Sequence, residues 1–144
     1  MKLFKKRFFS LLLAALLIAS MSIPTMATSD PDEQTRASAY ISYCFARTTV
    51  SGGDVNVYFR ITGTGTMTSI GATDIIIYDE NDNWVALLDS SNTAGLMGSN
   101  TFFYSNTVSW NGAVSGMRYY AIVGFKAANS NGYDTTCFTT LYSS

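Results

Sequence analysis

Histidine is absent from all 144 residues, and cysteine and proline occur only twice each. Without an imidazole, no Ser-His-Asp or Cys-His nucleophile can be assembled within the chain. Two thiols without histidine also make a poor zinc set, so no metal is expected. Basic residues are scarce. Four of the nine, Lys2, Lys5, Lys6 and Arg7, crowd the N-terminus, which leaves Arg36, Arg47, Arg60, Arg118 and Lys126 to face all 10 acids. Phosphate backbones and anionic membrane surfaces are recognised by clustered Lys and Arg, so nucleic-acid and membrane partners are disfavoured for the mature chain. The carboxylates Asp74, Asp79, Asp82, Asp89 and Asp134 could in principle pair as a glycosidase acid and nucleophile, yet no spacing brings two of them together. The expectation is a non-enzyme with no cofactor.

The N-terminus carries a basic start, an apolar run from Phe8 to Ala19 and the small-residue site Thr25-Met26-Ala27. That order is the pattern of a secretory signal, expected to be cleaved after Ala27. The apolar run falls short of the ~20 residues a membrane span needs. No cysteine lies near the site to take a lipid, and the C-terminus has neither an apolar tail nor a basic stop, so a secreted, extracellular protein is expected. Residues 28–36, with Asp30-Pro31-Asp32-Glu33, form a polar lead-in expected to be disordered. Residues 37–144 are expected to form one domain.

Cys44 and Cys137 fall near the two ends of that domain. In an oxidising compartment the simplest reading is one disulfide joining the first strand to the last, which chain-entropy arguments value at roughly 4 to 5 kcal/mol. Two unlinked thiols are the alternative. Ile41, Tyr43 and Phe45 oppose Tyr40, Ser42 and Ala46 with little to choose between them, which leaves the facing of Cys44 open.

What the chain has in quantity is strand-forming residues between turn signals. The run Arg118 to Ala127 is apolar in both alternation phases and bounded by Gly116 and by Asn129 to Gly132, so it is expected to be a central strand with a layer over each face. Val55, Val57, Phe59 and Ile61 alternate with Asn56, Tyr58, Arg60 and Thr62, the pattern of a half-buried strand. Further strands are expected at Tyr40 to Arg47, Thr73 to Tyr78, Trp84 to Leu88, Thr101 to Ser109 and Asp134 to Tyr142, with Ser51-Gly52-Gly53-Asp54 and Asn129 to Gly132 as hairpin turns. The stretch from Asp89 to Asn100 is expected to be a loop holding a short extended piece. About seven strands near a dozen residues apart, with no helix, predict an all-β fold, a two-sheet antiparallel β-sandwich.

Gly116-Met117-Arg118-Tyr119 sets a tyrosine at the start of the penultimate strand, which resembles the tyrosine corner of immunoglobulin-like and fibronectin type III domains. The cysteines do not occupy the immunoglobulin positions, and no tryptophan stands in the usual strand between them. The segments Ser38-Ala39-Tyr40-Ile41-Ser42, Ile61 to Met67, Ile70-Gly71-Ala72-Thr73, Met97-Gly98-Ser99 and Tyr119-Tyr120-Ala121 resemble a family of small uncharacterised secreted proteins of Gram-positive bacteria, many from gut clostridia. The resemblance implies a bacterial, secreted setting and carries over no functional residues.

Two stretches invite a ligand. Thr62-Gly63-Thr64-Gly65-Thr66 is rich in glycine but lacks the Lys-Ser/Thr of a phosphate loop and the βαβ unit of a dinucleotide site, so a connection between sheets is expected. Asp79-Glu80-Asn81-Asp82-Asn83 concentrates oxygen ligands that could attract calcium, but it lacks EF-hand spacing, and such turns are ordinary hairpin chemistry. Aromatics are the remaining resource. If Ile75, Ile77, Tyr119, Val123 and Phe125 point inward, then Ile76, Tyr78, Tyr120 and Ile122 share the outer face of the same sheet, with Trp84 on a neighbouring strand. An exposed patch of that kind marks an interaction surface. The expected function is a secreted, non-enzymatic interaction or adhesion module whose partner is a protein or a second copy. The alternative is a glycan-binding module that stacks sugar rings on Tyr and Trp.

Overall fold

Apolar residues at every second position commit the chain to half-buried strands, and the computed structural model, which describes residues 38–143, pairs them into two antiparallel sheets. The predicted signal segment 1–27 and the lead-in 28–36 lie outside the described residues. Strand β1 (Ile41–Ser51) turns through Gly52 and Gly53 into β2 (Asp54–Met67). Both glycines have positive φ, 63° and 87°, as the tight two-residue hairpin between Ser51 and Asp54 requires. The chain then crosses to the other layer as β3 (Ser69–Asp79) and returns along it as β4 (Trp84–Asp89). After a loop containing the two-residue β5 (Met97–Gly98), β6 (Thr101–Asn111) rejoins the first layer. Strands β7 (Tyr119–Asn129) and β8 (Gly132–Thr139) complete the second.

The smaller sheet has the order β1-β2-β6, and the larger has the order β4-β3-β7-β8 with β5 against the start of β3. The described residues hold eight strands rather than about seven, because the short extended piece in the Asp89 to Asn100 loop pairs with β3 through Ile70 and Gly71. Its approach needs a glycine: a Cβ on Gly71 would collide with the Leu96 carbonyl oxygen, which accepts from the Ala72 N–H at 2.8 Å.

The two inner faces interlock. Val55, Val57, Phe59 and Ile61 are fully buried, as are Ile75, Ile77, Val123 and Phe125 opposite them. Phe59 and Phe125 meet edge to face across the gap at 6.3 Å. Burying each such side chain contributes about 1.5–3 kcal/mol, so this layer is the main source of stability. Tyr119 is buried too, and its hydroxyl accepts from the Val114 N–H at 2.9 Å, anchoring the loop before β7.

Three expectations are corrected. Cys44 and Cys137 form no disulfide. Cys44 is buried between the sheets, whereas Cys137, opposite Gly124 in the β7–β8 register, is exposed; the Cys44 thiol faces the interior from the smaller sheet and the Cys137 thiol faces outward from the larger. The glycine-rich stretch is not a free loop. It lies within β2, whose pairing with β6 stops at Thr62 and resumes at Met67, and the Met67 side chain folds over Gly63, where a Cβ would sit 2.8 Å from Met67 Cγ. The crossing between sheets comes at Thr68. The last strand begins at Gly132 and ends at Thr139, earlier than expected at both ends. Beyond it, the N–H groups of Thr140 and Ser143 donate to the Ala121 and Tyr119 carbonyls at 2.8 and 2.6 Å.

The described chain enters at one end of the sandwich and leaves at the other. The Tyr40 N–H donates to Asp134 Oδ2 at 2.9 Å, near the end of β7, while Ser143 is tied to Tyr119 at its start.

Candidate functional site: the outer face of the larger sheet

Strand parity that sends Ile75, Ile77 and Val123 inward sends Ile76, Tyr78, Tyr120 and Ile122 outward, and register aligns them. Tyr78 stands opposite Tyr120 on one side and Trp84 on the other. One step along, Leu87, Ile76, Ile122 and Thr139 form a second row across β4, β3, β7 and β8. The five residues singled out from the sequence, Ile76, Tyr78, Trp84, Tyr120 and Ile122, therefore share one surface. Trp84 is 64% exposed, with its indole N–H donating to the Ala86 carbonyl at 3.0 Å. The other four are half-buried.

The rings are held in a fixed arrangement. Tyr78 and Tyr120 stack with centroids 5.1 Å apart and planes 11° apart. Tyr142, from the segment after β8, meets Tyr120 edge to face at 5.2 Å. The Tyr120 hydroxyl donates to Asp82 Oδ1 at 3.0 Å. Loss of solvent around the phenol, followed by the hydrogen bond and charge of Asp82, raises its pKa above the ordinary tyrosine value. Arg118 closes the upper end, with its guanidinium 5.3 Å from the Tyr142 ring centre and its Nε donating to Glu80 Oε2 at 3.1 Å. A shallow recess of about 210 Å³ lies between Tyr120, Thr139, Thr140, Leu141 and Tyr142.

Past the aliphatic row the face becomes acidic. Asp74 and Asp89 stand directly opposite one another on β3 and β4. Gly124 leaves room for the Asp74 carboxylate, since a Cβ there would sit 2.6 Å from its Oδ1. Asp74 Oδ1 accepts from the Thr73 hydroxyl at 2.6 Å, and Asp89 is held below the ordinary carboxylate range, first by the Ser91 hydroxyl.

The acidic turn keeps its best ligand for itself. Asp79 is 7% exposed. It accepts from the Asn81 and Asn83 N–H groups and the Asn83 amide at 2.9, 3.0 and 3.0 Å; that saturation, led by the Asn83 side chain, lowers its pKa. Asp134 is likewise lowered, first by Ser38 and then by the Tyr40 N–H. No three residues among His, Cys, Asp and Glu come together as a metal set among the described residues.

No family model matches the chain, and no curated protein matches its sequence. The surface itself is therefore what a functional reading rests on. Sequence reasoning missed Leu87, Arg118, Leu141 and Tyr142 as members of this face. Leu87 was recoverable from its alternation with Leu88. Leu141 and Tyr142 were not, because they join the face from an irregular segment whose path depends on the buried Thr140 and Ser143.

Proposed function

We propose that this domain is a secreted, non-enzymatic protein-interaction module whose docking surface is the outer face of the larger sheet. The observation that carries the reading is the composition and packing of that face. Tyr78 and Tyr120 turn their ring faces toward each other, and aliphatic Ile76, Ile122 and Leu87 continue the surface. A sugar platform needs ring faces open to solvent, whereas a mixed aliphatic and aromatic surface with a charged rim suits a protein partner. Trp84 and Arg118, residue types enriched among interface anchors, sit at its upper edge. The basic start and apolar run before Ala27 support secretion, and the resemblance to clostridial secreted proteins supports a bacterial setting.

An immunoglobulin-like sandwich is the fold we assign to it. Taking β1, β2 and β6 as strands A, B and E, and β3, β7 and β8 as C, F and G, the order within each sheet follows that fold. The bond from the Val114 N–H to the Tyr119 hydroxyl, five residues downstream, supports a tyrosine corner. In the test, immobilised protein and its Tyr120→Ser/Ile122→Ser variant are exposed to culture medium and to a glycan array. A polypeptide held by the first and released by the folded variant is the expected result. Identical proteins held by both would overturn the reading, and array binding lost in Trp84→Ala would replace it with the glycan reading.

A further inference from the structure

The opposite surface of the sandwich, the outer face of the smaller sheet, differs from the larger sheet's face in the sign of its charge. Strands β1, β2 and β6 contain two arginines, Arg47 and Arg60, and one carboxylate, Asp54. Asp54 sits at the hairpin end and accepts from the Asn111 amide at 2.8 Å. The outer face of the larger sheet and its turn carry Asp74, Glu80, Asp82 and Asp89 against Arg118 and Lys126, while Asp79 is buried and Asp134 is taken up by the Tyr40 N–H. The sole ion pair among the described residues, Arg118 with Glu80, belongs to that acidic side.

Arg60 is exposed and already ordered. Its guanidinium lies 5.2 Å from the Tyr43 ring centre and 5.4 Å from that of Phe103, rings supplied by the strands on either side of β2. A planar cation held between two rings forfeits little rotational freedom on docking and keeps its N–H groups for a carboxylate. Phe103 itself is 38% exposed, so the cation is set in an apolar surround. On the other face, Asp74 and Asp89 are the complement. Like charges directly opposite destabilise an antiparallel pair, and no cation of the described residues pairs with either. A guanidinium placed between two facing carboxylates would relieve that repulsion through charge-assisted hydrogen bonds.

We propose that the protein docking on the larger sheet is a second copy of this chain, with the Arg60 face of one copy seated on the Asp74, Asp89 and Trp84 face of the next. This rests on the protein-interaction reading above and names its partner. The two surfaces are different, so the contact is head to tail. Each added copy leaves one free face of each kind, and the assembly grows as an open row instead of closing as a pair.

The test is sedimentation velocity of the purified protein over a range of concentration and salt, alongside Arg60→Glu and Asp74→Asn/Asp89→Asn, with circular dichroism to establish that each is folded. Wild-type mass is expected to rise past two copies with concentration and to fall with added salt. Each variant alone should associate roughly thirtyfold more weakly, the scale for losing one partner of an interfacial charge pair. Mixed, the two variants should form a one-to-one pair and stop, because each retains the face the other lacks. Arg60→Lys, which keeps the charge without the planar fork, should associate weakly. A monomer at every concentration would overturn the second-copy proposal while leaving the docking face to be tested with other proteins. A dimer that stops at two copies and ignores Arg60→Glu would overturn it in favour of face-to-face pairing of the larger sheet with itself.

Discussion

The hydroxyls of Thr48 and Thr140 lie 2.8 Å apart inside the sandwich, joining β1 to the segment that follows β8. Thr140 Oγ1 also accepts from the Ala121 N–H at 2.9 Å and donates to the Leu141 carbonyl at 3.0 Å, so the Thr48 hydroxyl is the donor of the pair. This link ties the first layer to the last segment where a disulfide was expected. Thr140→Val leaves two buried partners unmatched and is expected to destabilise by about 2 kcal/mol, with Thr48→Val nearer 1 kcal/mol. Urea unfolding of both variants and of the double variant should return a coupling of about 1 kcal/mol; strictly additive effects would mean the bond contributes nothing of its own.

The thiols should behave as two unlike groups. Burial, with a further contribution from Cys137, pushes the Cys44 thiol up to about 11 from 9.0, while Cys137 is exposed. A thiol reagent is expected to label one site in native protein and two in denaturant, with Cys137→Ser abolishing the fast reaction. Because the folded state holds the Cys44 proton more tightly than the unfolded chain, its contribution to stability is complete below pH 9 and lost as pH rises toward 11. Stability of Cys44→Ala should fall less steeply over that interval than that of wild type.

Acid should act through Asp79 and Asp134. Their pKa values are lowered in the folded state, Asp79 first by the Asn83 amide and Asp134 first by Ser38. Their stabilising contribution is therefore present above the unfolded value of 3.8 and lost as pH falls through the lower folded values. Asp79→Asn should flatten the acid limb of a thermal-melting profile and be less stable at neutral pH. A limb of unchanged steepness would count against the turn as its source.

Tyr119→Phe isolates one hydrogen bond. The ring stays in the core against Trp110, at 6.0 Å edge to face, but the Val114 N–H loses its acceptor. A loss of about 1–2 kcal/mol is expected, with hydrogen exchange quickening at residues 113–118 ahead of the strands. Uniform quickening throughout would mean that the bond stabilises the whole sandwich and not this loop in particular.

Strands with one wet face were legible from sequence because a period of two has a single structural meaning. Val55 to Ile61 is the clearest case, whereas β7, apolar in both phases and expected to carry a layer over each face, is covered among the described residues only on its Tyr119, Val123 and Phe125 side, with Tyr120 and Ile122 half-buried on the outside. The facing of Cys44 was not legible, since its flanking residues are apolar in both phases and only pairing with Ile61 fixes it. Cys137 could not be paired with Cys44 by proximity to a chain end, because a shift of one residue sends a side chain to the other face of a sheet. The acidic pair Asp74 and Asp89 was invisible for a related reason: fifteen positions of chain separate them, and they meet only through the β3–β4 register.

The entry of the described chain beside Asp134 and its exit beside Tyr119 have a mechanical consequence. The 11 residues of β7 separate those points by roughly 35 Å, along the strand direction. Tension between Ser38 and Ser143 would pull β1 along β2 and β8 along β7, loading a ladder of hydrogen bonds together in shear instead of peeling them one at a time. A domain attached at both poles is thus oriented to resist stretching.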